Sequence, residues 1–141
     1  MVDKSPYKRI LWPNFLKPFV TSDDLIRMLQ RILTGFTQVS GVDLAGVFDE
    51  LGIMIASVSQ EGNTTPTSEA IRTIIFRTNS ASENAGLGKA TGLWVEGKRR
   101  QMFDLMSSDV TLMISGNGGR LARWRHELDR NRSTIQELMN R

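Results

Sequence analysis

The chain has 141 residues, a formal net charge of +3 and a hydrophobic share of 40%, values typical of one globular domain of ordinary size. It contains no cysteine, which excludes disulfides and thiolate metal sites, and its one histidine argues against a zinc centre or a histidine-based catalytic relay. No stretch reaches the ~18 apolar residues of a membrane span, and the N-terminus lacks a signal-peptide pattern. We therefore expect a cytoplasmic protein with no metal and no cofactor.

The first unit of the chain, residues 1–20, combines prolines with large apolar side chains. Its prolines are Pro6, Pro13 and Pro18. Prolines at this spacing interrupt any helix or strand, so we predict an irregular arm. The aromatic side chains of Trp12, Phe15 and Phe19 would otherwise be left in water. We expect them to pack against their own domain or dimer, or to dock on a partner.

Residues 21–41 predict the first helix, because apolar side chains recur there at helical spacing. Thr21 or Ser22 is its expected cap, and Gly41 ends it.

Two β-rich runs follow the first helix, from Val42 to Phe48 and from Ile53 to Val58. The short polar segment between them predicts a hairpin. Acidic residues at a hairpin tip are usually solvated, so we interpret Asp49 and Glu50 as turn residues with no chemical role.

A second helix is predicted from Pro66, with Thr65 as its cap, to Gly86 or Gly88. Its inward-facing stripe consists of Ile71, Ile74 and Ile75. Phe76 lies outside that stripe, and we predict that it needs a neighbour other than its own sheet.

Three further β-rich runs lie near Ala90 to Glu96, Gln101 to Met106 and Val110 to Ser115. The turns between them are short enough for hairpins. Lys98, Arg99 and Arg100 form the first turn, for which the simplest interpretation is a solvated hairpin tip. Trp94 and Met102 are predicted to lie opposite each other on neighbouring strands, as core residues.

The glycine-rich sequence from Ser115 to Arg120 precedes the last helix, in a position where proteins hold phosphates. It lacks the lysine and the Ser/Thr of a P-loop, and the hairpins before it do not fit a βαβ unit. We therefore interpret Asn117, Gly118 and Gly119 as a strand-to-helix turn with left-handed backbone angles, in preference to a phosphate site.

The last helix carries apolar residues at helical spacing, beginning with Leu121 and Trp124. Its arginines are Arg120, Arg123, Arg125, Arg130 and Arg132. Glu127 and Asp129 interrupt this cluster, which favours a solvated face with local ion pairs over a binding patch. His126 lies on the same polar side and is interpreted as solvated.

The element order α-β-β-α-β-β-β-α predicts an α+β fold with a single antiparallel five-stranded sheet between helices. The segments that carry this order are "VSGVDLAGVFDELGIMIASVS" and "GLGKATGLWVEGKRRQMFDLMSSDVTLMIS". Their pattern resembles the roadblock (dynein light chain) family, and the spacing is similar to that of its stand-alone prokaryotic members. The resemblance implies one profilin-like domain over residues 21–141, with one helix on one face of the sheet and two on the other.

The resemblance also implies a non-catalytic homodimer that engages a small Ras-like GTPase in polarity, motility or signalling. Family dimers pair the second helix with its mate and join the two sheets through the strand after it, here "ATGLWVEG". The expected dimer residues are Ile74, Phe76, Leu93, Trp94 and Val95. The expected partner-binding residues are Trp12, Phe15, Lys98, Arg99 and Arg100.

A GTPase regulator supplies either a positive charge to the transferred phosphate or a surface that holds the switch loops. Arg99 and Arg100 are candidates for the first route, and we prefer the second. The alternative function is a small basic nucleic-acid-binding domain, favoured by the pI of about 9.7 and the arginines of the last helix. Against it, Trp124 is the only aromatic residue among those arginines.

Overall fold

The computed structural model describes residues 22–60, 65–107 and 109–140. The predicted arm and the candidate cap Thr21 lie outside this part of the chain. The elements are α1 (Ser22–Thr37), β1 (Val42–Phe48), β2 (Met54–Ser59), α2 (Ser68–Asn84), β3 (Gly92–Glu96), β4 (Arg100–Ser107), β5 (Val110–Gly116) and α3 (Leu121–Asn140). This order confirms the predicted α+β class.

The strands form one antiparallel sheet in the order β2-β1-β5-β4-β3. Each hairpin pairs strands that are adjacent in sequence, and the pairing of β1 with β5 joins the N-terminal hairpin to the C-terminal meander. Consequently β2 and β3 are the edge strands of the sheet that the structure describes.

The helices cover the two faces of the sheet unequally. On one face, α1 and α3 bury a large apolar cluster that includes Leu29, Phe36, Trp124 and Ile135. On the other face, α2 contributes Ile71 to a smaller cluster, against which Ile74, Ile75 and Leu93 pack while partly exposed. The arrangement of one helix against two agrees with the expectation from the resemblance.

The second helix starts later than its sequence predicts. The N-cap is Thr67, whose hydroxyl accepts a hydrogen bond from the Ala70 amide at 3.1 Å, so the assignment of Thr65 as cap is wrong. Thr65 and Thr67 flank Pro66, and the sequence pattern alone did not favour Thr67 as the N-cap. The helix ends before Gly86, whose φ of 76° is a left-handed angle that glycine adopts without strain.

The tip of the β1–β2 hairpin contains a second correction. Asp49 is only 2% exposed, and its carboxylate accepts hydrogen bonds from the amides of Leu51 and Ile53 at 2.9 and 3.0 Å. It therefore holds the turn together, whereas Glu50 is exposed as expected. An aspartate that binds the amides ahead of it is a common device of tight turns.

No helix within the described ranges is long and apolar enough to cross a bilayer.

Candidate functional site

Three exposed apolar side chains lie on α2, on the loop after it and on β3. Phe76 is 72% exposed, and Leu87 and Val95 are also more than half exposed. We call these three residues the α2–β3 surface. Side chains alternate along a strand, so Val95 shares the α2 face of β3 with Leu93. Large apolar side chains left in water near an edge strand are typical of an interface.

The predicted dimer residues divide into three groups. Ile74 and Leu93 are partly buried against the core of their own chain. Phe76 and Val95 are exposed and belong to the α2–β3 surface. Trp94 lies on the opposite face of β3, so it is separate from that surface.

Trp94 faces the same side of the sheet as α3. The predicted register is correct, since Trp94 lies opposite Met102, but only Met102 is buried. Trp94 is 53% exposed, so its assignment as a core residue is wrong for the described chain. Trp94 lies on the edge strand β3, whereas α3 contacts the neighbouring strand β4.

A groove of about 440 Å³ remains between α3 and the β3 edge, and we call it the Trp94 groove. Its lining includes Gly92, Trp94, Met102, Asp104, Leu128 and Arg132. Sequence reasoning missed this groove, because no residue pattern shows how far a helix extends across a sheet.

The charged side chains that line the groove take part in ion pairs. Arg132 donates to the buried Asp104 and to Asp129, both at 2.7 Å, and Arg125 pairs with Asp129 at 3.5 Å. Hydrogen bonds from Arg132 hold the pKa of Asp129 below its usual value. Asp104 acts in the opposite sense on Arg132, whose pKa is raised. Both arginines of the groove are thus paired with aspartates: Arg132 with Asp104 of the lining, and Arg125 and Arg132 with Asp129 on α3.

The β3–β4 turn differs from a simple solvated tip. Lys98 is exposed, but Arg99 forms a bidentate ion pair with Asp43, with Nη1 and Oδ2 2.9 Å apart, and this carboxylate raises the pKa of Arg99. Arg100 is only 8% exposed, so its interpretation as a solvated residue of the hairpin tip is wrong.

The buried guanidinium of Arg100 contacts three neighbours. Its Nε donates to Glu96 at 3.0 Å, and its Nη1 donates to the carbonyl of Gly119 at 3.1 Å. The guanidinium also lies over the Trp124 ring, 4.8 Å from the centroid. The hydrogen bond from Arg100 lowers the pKa of Glu96. Arg100 therefore joins β4 to the start of α3.

The glycine-rich loop is a strand-to-helix turn. Gly118 and Gly119 have φ of 83° and 84°, whereas Asn117 does not have the left-handed angle that the sequence predicted for it. A Cβ on Gly119 would lie 2.0 Å from the Ser40 carbonyl oxygen, so the close approach of two backbone segments requires glycine there. The loop turns carbonyl groups towards Arg100, which is the wrong polarity for a phosphate cradle at that point.

The arginines of α3 are largely engaged in local ion pairs, as predicted. Besides the pairs of the groove wall, Arg130 contacts Glu127 at 3.2 Å. Glu127 is itself buried and also accepts from Asn131, while His126 is exposed. This arrangement does not support a basic nucleic-acid interface. Within the described residues, no group of three or more His, Cys, Asp or Glu could hold a metal ion.

Solved structures with the same architecture belong to the roadblock type. An MglB with a tetrameric arrangement superposes with a TM-score of 0.72 at 11% identity, over 82% of this chain and 90% of the other. The gliding protein MglB of Thermus thermophilus gives 0.70 at 11%, over 86% and 93%. A Roadblock/LC7 domain from Streptomyces avermitilis gives 0.60 at 14%, over 76% and 93%.

No protein-family model and no curated protein matches the sequence. The likeness therefore rests on structure, and it shows that this chain has the roadblock-type fold.

Proposed function

We propose that this roadblock-type chain is a non-catalytic, cytoplasmic homodimer that binds a small Ras-like GTPase and regulates or scaffolds it. The fold supports the proposal, because the stand-alone prokaryotic roadblock proteins that the sequence resembles engage such GTPases. Neighbours named MglB, one of them a gliding protein and one in a tetrameric arrangement, are consistent with an assembling protein in a motility or signalling pathway.

The observation that carries the homodimer is the α2–β3 surface. Each of its three large apolar side chains, Phe76, Leu87 and Val95, is more than half exposed. In addition, β3 is an edge strand of the described sheet. Pairing two copies through α2 and β3 covers these side chains and satisfies the strand edge at the same time. A twofold arrangement presents the same surface on both copies, so one set of residues suffices.

The contacts of the β3–β4 turn favour the switch-loop route over an arginine finger. Arg100 is held by Glu96, Trp124 and the Gly119 carbonyl, so extending it towards a nucleotide would break all three contacts. Arg99 would first have to leave Asp43. Lys98 remains exposed at the tip, where it can contact a partner. A surface that holds the switch loops needs no arginine to be released.

The direct test is a binding assay with Ras-like GTPases of the same genome, beginning with any encoded beside this gene. Each GTPase is loaded with GDP or with a non-hydrolysable GTP analogue, and its Kd for this protein is measured by calorimetry. We expect a complex that is tighter with the GTP analogue, because that nucleotide orders the switch loops. The Lys98→Glu variant should bind more weakly than wild type.

The rate of GTP hydrolysis separates the two routes. If the protein stimulates hydrolysis, the Arg99→Ala variant should retain the stimulation. Loss of an arginine finger would instead lower the stimulated rate of hydrolysis by about 10³-fold or more. Absence of any complex at tens of micromolar would contradict the proposal. Binding of non-specific DNA that falls steeply with added salt would instead support the nucleic-acid alternative.

A further inference from the structure

Strand β3 exposes large apolar side chains on both faces of the sheet. Trp94 is 53% exposed and its neighbour Val95 is 51% exposed. Neighbouring residues of a strand point to opposite faces, so an element packed on one face would cover only one of these two side chains. A strand that pairs along the edge of β3 contacts both faces at once.

The backbone of β3 shows which residues can accept such a strand. The amide of Leu105 donates to the carbonyl of Thr91 at 3.0 Å, and the amide of Gly97 donates to the carbonyl of Arg99 at 2.8 Å. Hydrogen-bonded positions alternate along an antiparallel strand, so every second residue from Thr91 to Gly97 is bonded to β4. The residues whose amides and carbonyls point to the edge are Gly92, Trp94 and Glu96.

The sequence of β3 is suited to pairing with a second copy of itself. In an antiparallel pair related by a twofold axis, residues that point to the edge lie opposite each other. When the axis passes through Trp94, this residue lies opposite Trp94 of the second copy, and Leu93 lies opposite Val95 of that copy. Every residue of β3, Gly92–Glu96, then has a partner within the strand.

Other registers pair less of the strand. An axis through Val95 pairs only residues 94–96 within β3, and an axis through Leu93 pairs only residues 92–94. The register centred on Trp94 therefore gives the longest ladder of hydrogen bonds between two copies of β3.

Charge also favours the axis at Trp94. Glu96 is the charged residue of β3, and in this register it lies opposite Gly92 of the second copy. The two Glu96 residues are then at opposite ends of the paired strands, roughly 13 Å apart along them. An axis through Val95 would reduce this separation to roughly 7 Å and bring the like charges closer together.

We propose that two copies of this chain pair through β3 in a register centred on Trp94, so that the two Trp94 side chains contact each other on the α3 face of a continuous sheet. On the α2 face, Leu93 of each copy contacts Val95 of the other, and Val95 also belongs to the α2–β3 surface. On the α3 face, the second copy adds an indole beside the groove that Trp94 lines. The proposal rests on the homodimer proposed above and assigns its register.

Single cysteines test the register, because the natural chain has none. The Cα atoms of opposite residues are about 5.5 Å apart or closer, within reach of a disulfide, whereas diagonal neighbours at roughly 7–8 Å are beyond it. We expect Trp94→Cys to oxidise to linked pairs of chains. Leu93→Cys alone and Val95→Cys alone should stay unlinked. A mixture of these two variants should become linked in its mixed dimers, which keep Trp94 intact.

Non-reducing electrophoresis, with light scattering of the wild-type protein, separates the outcomes. Linkage of Trp94→Cys and of the mixture, without linkage of Ser59→Cys on the other edge strand β2, supports the register. If Trp94→Cys fails to fold, the mixture alone decides. Linkage of Val95→Cys alone or of Leu93→Cys alone would show a dimer with a displaced axis and overturn the register.

Two further outcomes separate this proposal from the homodimer itself. A wild-type dimer in which no cysteine of β3 becomes linked would overturn the register and leave the homodimer standing. A wild-type monomer at tens of micromolar would overturn both.

Opposite charges at position 94 give an independent measurement. Trp94→Lys alone and Trp94→Glu alone each place like charges directly opposite one another, so each should lower the dimer mass in light scattering. An equal mixture of the two variants should recover the dimer, because opposite charges then face each other. A mixture that is no more dimeric than either variant would refute the register.

Discussion

Arg100 joins β4, the glycine-rich loop and α3. We expect Arg100→Ala to lower the free energy of unfolding by about 2–4 kcal/mol, through loss of charged hydrogen bonds and of the contact with Trp124. Urea denaturation at fixed protein concentration measures this change.

The neighbouring Lys98→Ala variant is the control for Arg100. Lys98 is exposed, so its change should stay within about 0.5 kcal/mol. Equal effects at both positions would show that Arg100 is solvated after all.

The two glycines of the loop form a matched pair for a second prediction. Both have left-handed φ, so Ala at either position should cost about 1–2 kcal/mol in backbone strain. A Cβ on Gly118 meets nothing within 4 Å, whereas a Cβ on Gly119 meets the Ser40 carbonyl oxygen at 2.0 Å. Gly119→Ala should therefore lower the melting temperature clearly more than Gly118→Ala. Identical melting temperatures would contradict the close approach of the loop to Ser40.

Single residues were the least predictable level of this structure. Asp49 and Arg100 both occur in polar, turn-like sequence, where a solvated side chain is the ordinary expectation. Their burial depends on partners supplied by the fold: two backbone amides for Asp49, and Trp124 with the loop carbonyls for Arg100. Sequence distance hides such partners, because Trp124 becomes a neighbour of Arg100 only after the sheet has formed.

At the scale of elements, a buried carboxylate of β4 contributes to the attachment of α3 to the sheet. Asp104 is buried on β4, accepts a hydrogen bond from Nε of Arg132 and forms an ion pair with Nη2 of the same guanidinium. Arg132→Gln should cost about 2–4 kcal/mol, because it leaves a buried charge without its partner. The Asp104→Asn/Arg132→Gln double variant should be more stable than Arg132→Gln alone, since the uncompensated charge is removed.

The coupling energy of this pair follows from urea denaturation of four proteins: the wild type, Asp104→Asn, Arg132→Gln and the double variant. The control is Arg123→Gln on the exposed side of the same helix, for which we expect a change within about 0.5 kcal/mol. Strict additivity of the two single changes would show that Asp104 and Arg132 do not interact.

The elements themselves followed well from the sequence, for reasons that differ between them. Helical spacing of apolar residues identified α1 and α3, and short turns identified the three meander strands. The exposure of Trp94 did not follow, because β3 has an ordinary strand pattern. Trp94 lies on the edge strand, whereas α3 contacts β4, an arrangement that depends on long-range contacts such as that between Arg132 and Asp104.

At the scale of the whole molecule, we predict a dimer in solution that depends on Phe76. The side chain is 72% exposed in one chain, and the neighbouring β3 offers a free edge. Phe76→Glu would place a charge in an apolar interface, so light scattering at tens of micromolar should show a monomer mass or a weakened dimer. A monomeric wild-type protein would contradict the prediction.

The control for this change introduces the same charge elsewhere. Ala122 is exposed on α3, which packs on the opposite face of the sheet from α2. The Ala122→Glu variant should therefore leave the dimer intact. If Ala122→Glu also dissociates the protein, net charge and not the α2–β3 surface controls assembly.

The pairing of β1 with β5 has a consequence for how the protein folds during its synthesis. Val42 of β1 pairs with Gly116 of β5, so the first hairpin emerges from the ribosome long before the strand that completes its inner edge. Until then, β1 carries apolar residues on both faces beside an open strand edge. Closing the sheet is thus a late, non-local step, and a nascent chain paused before β5 exposes an apolar strand with an unpaired edge.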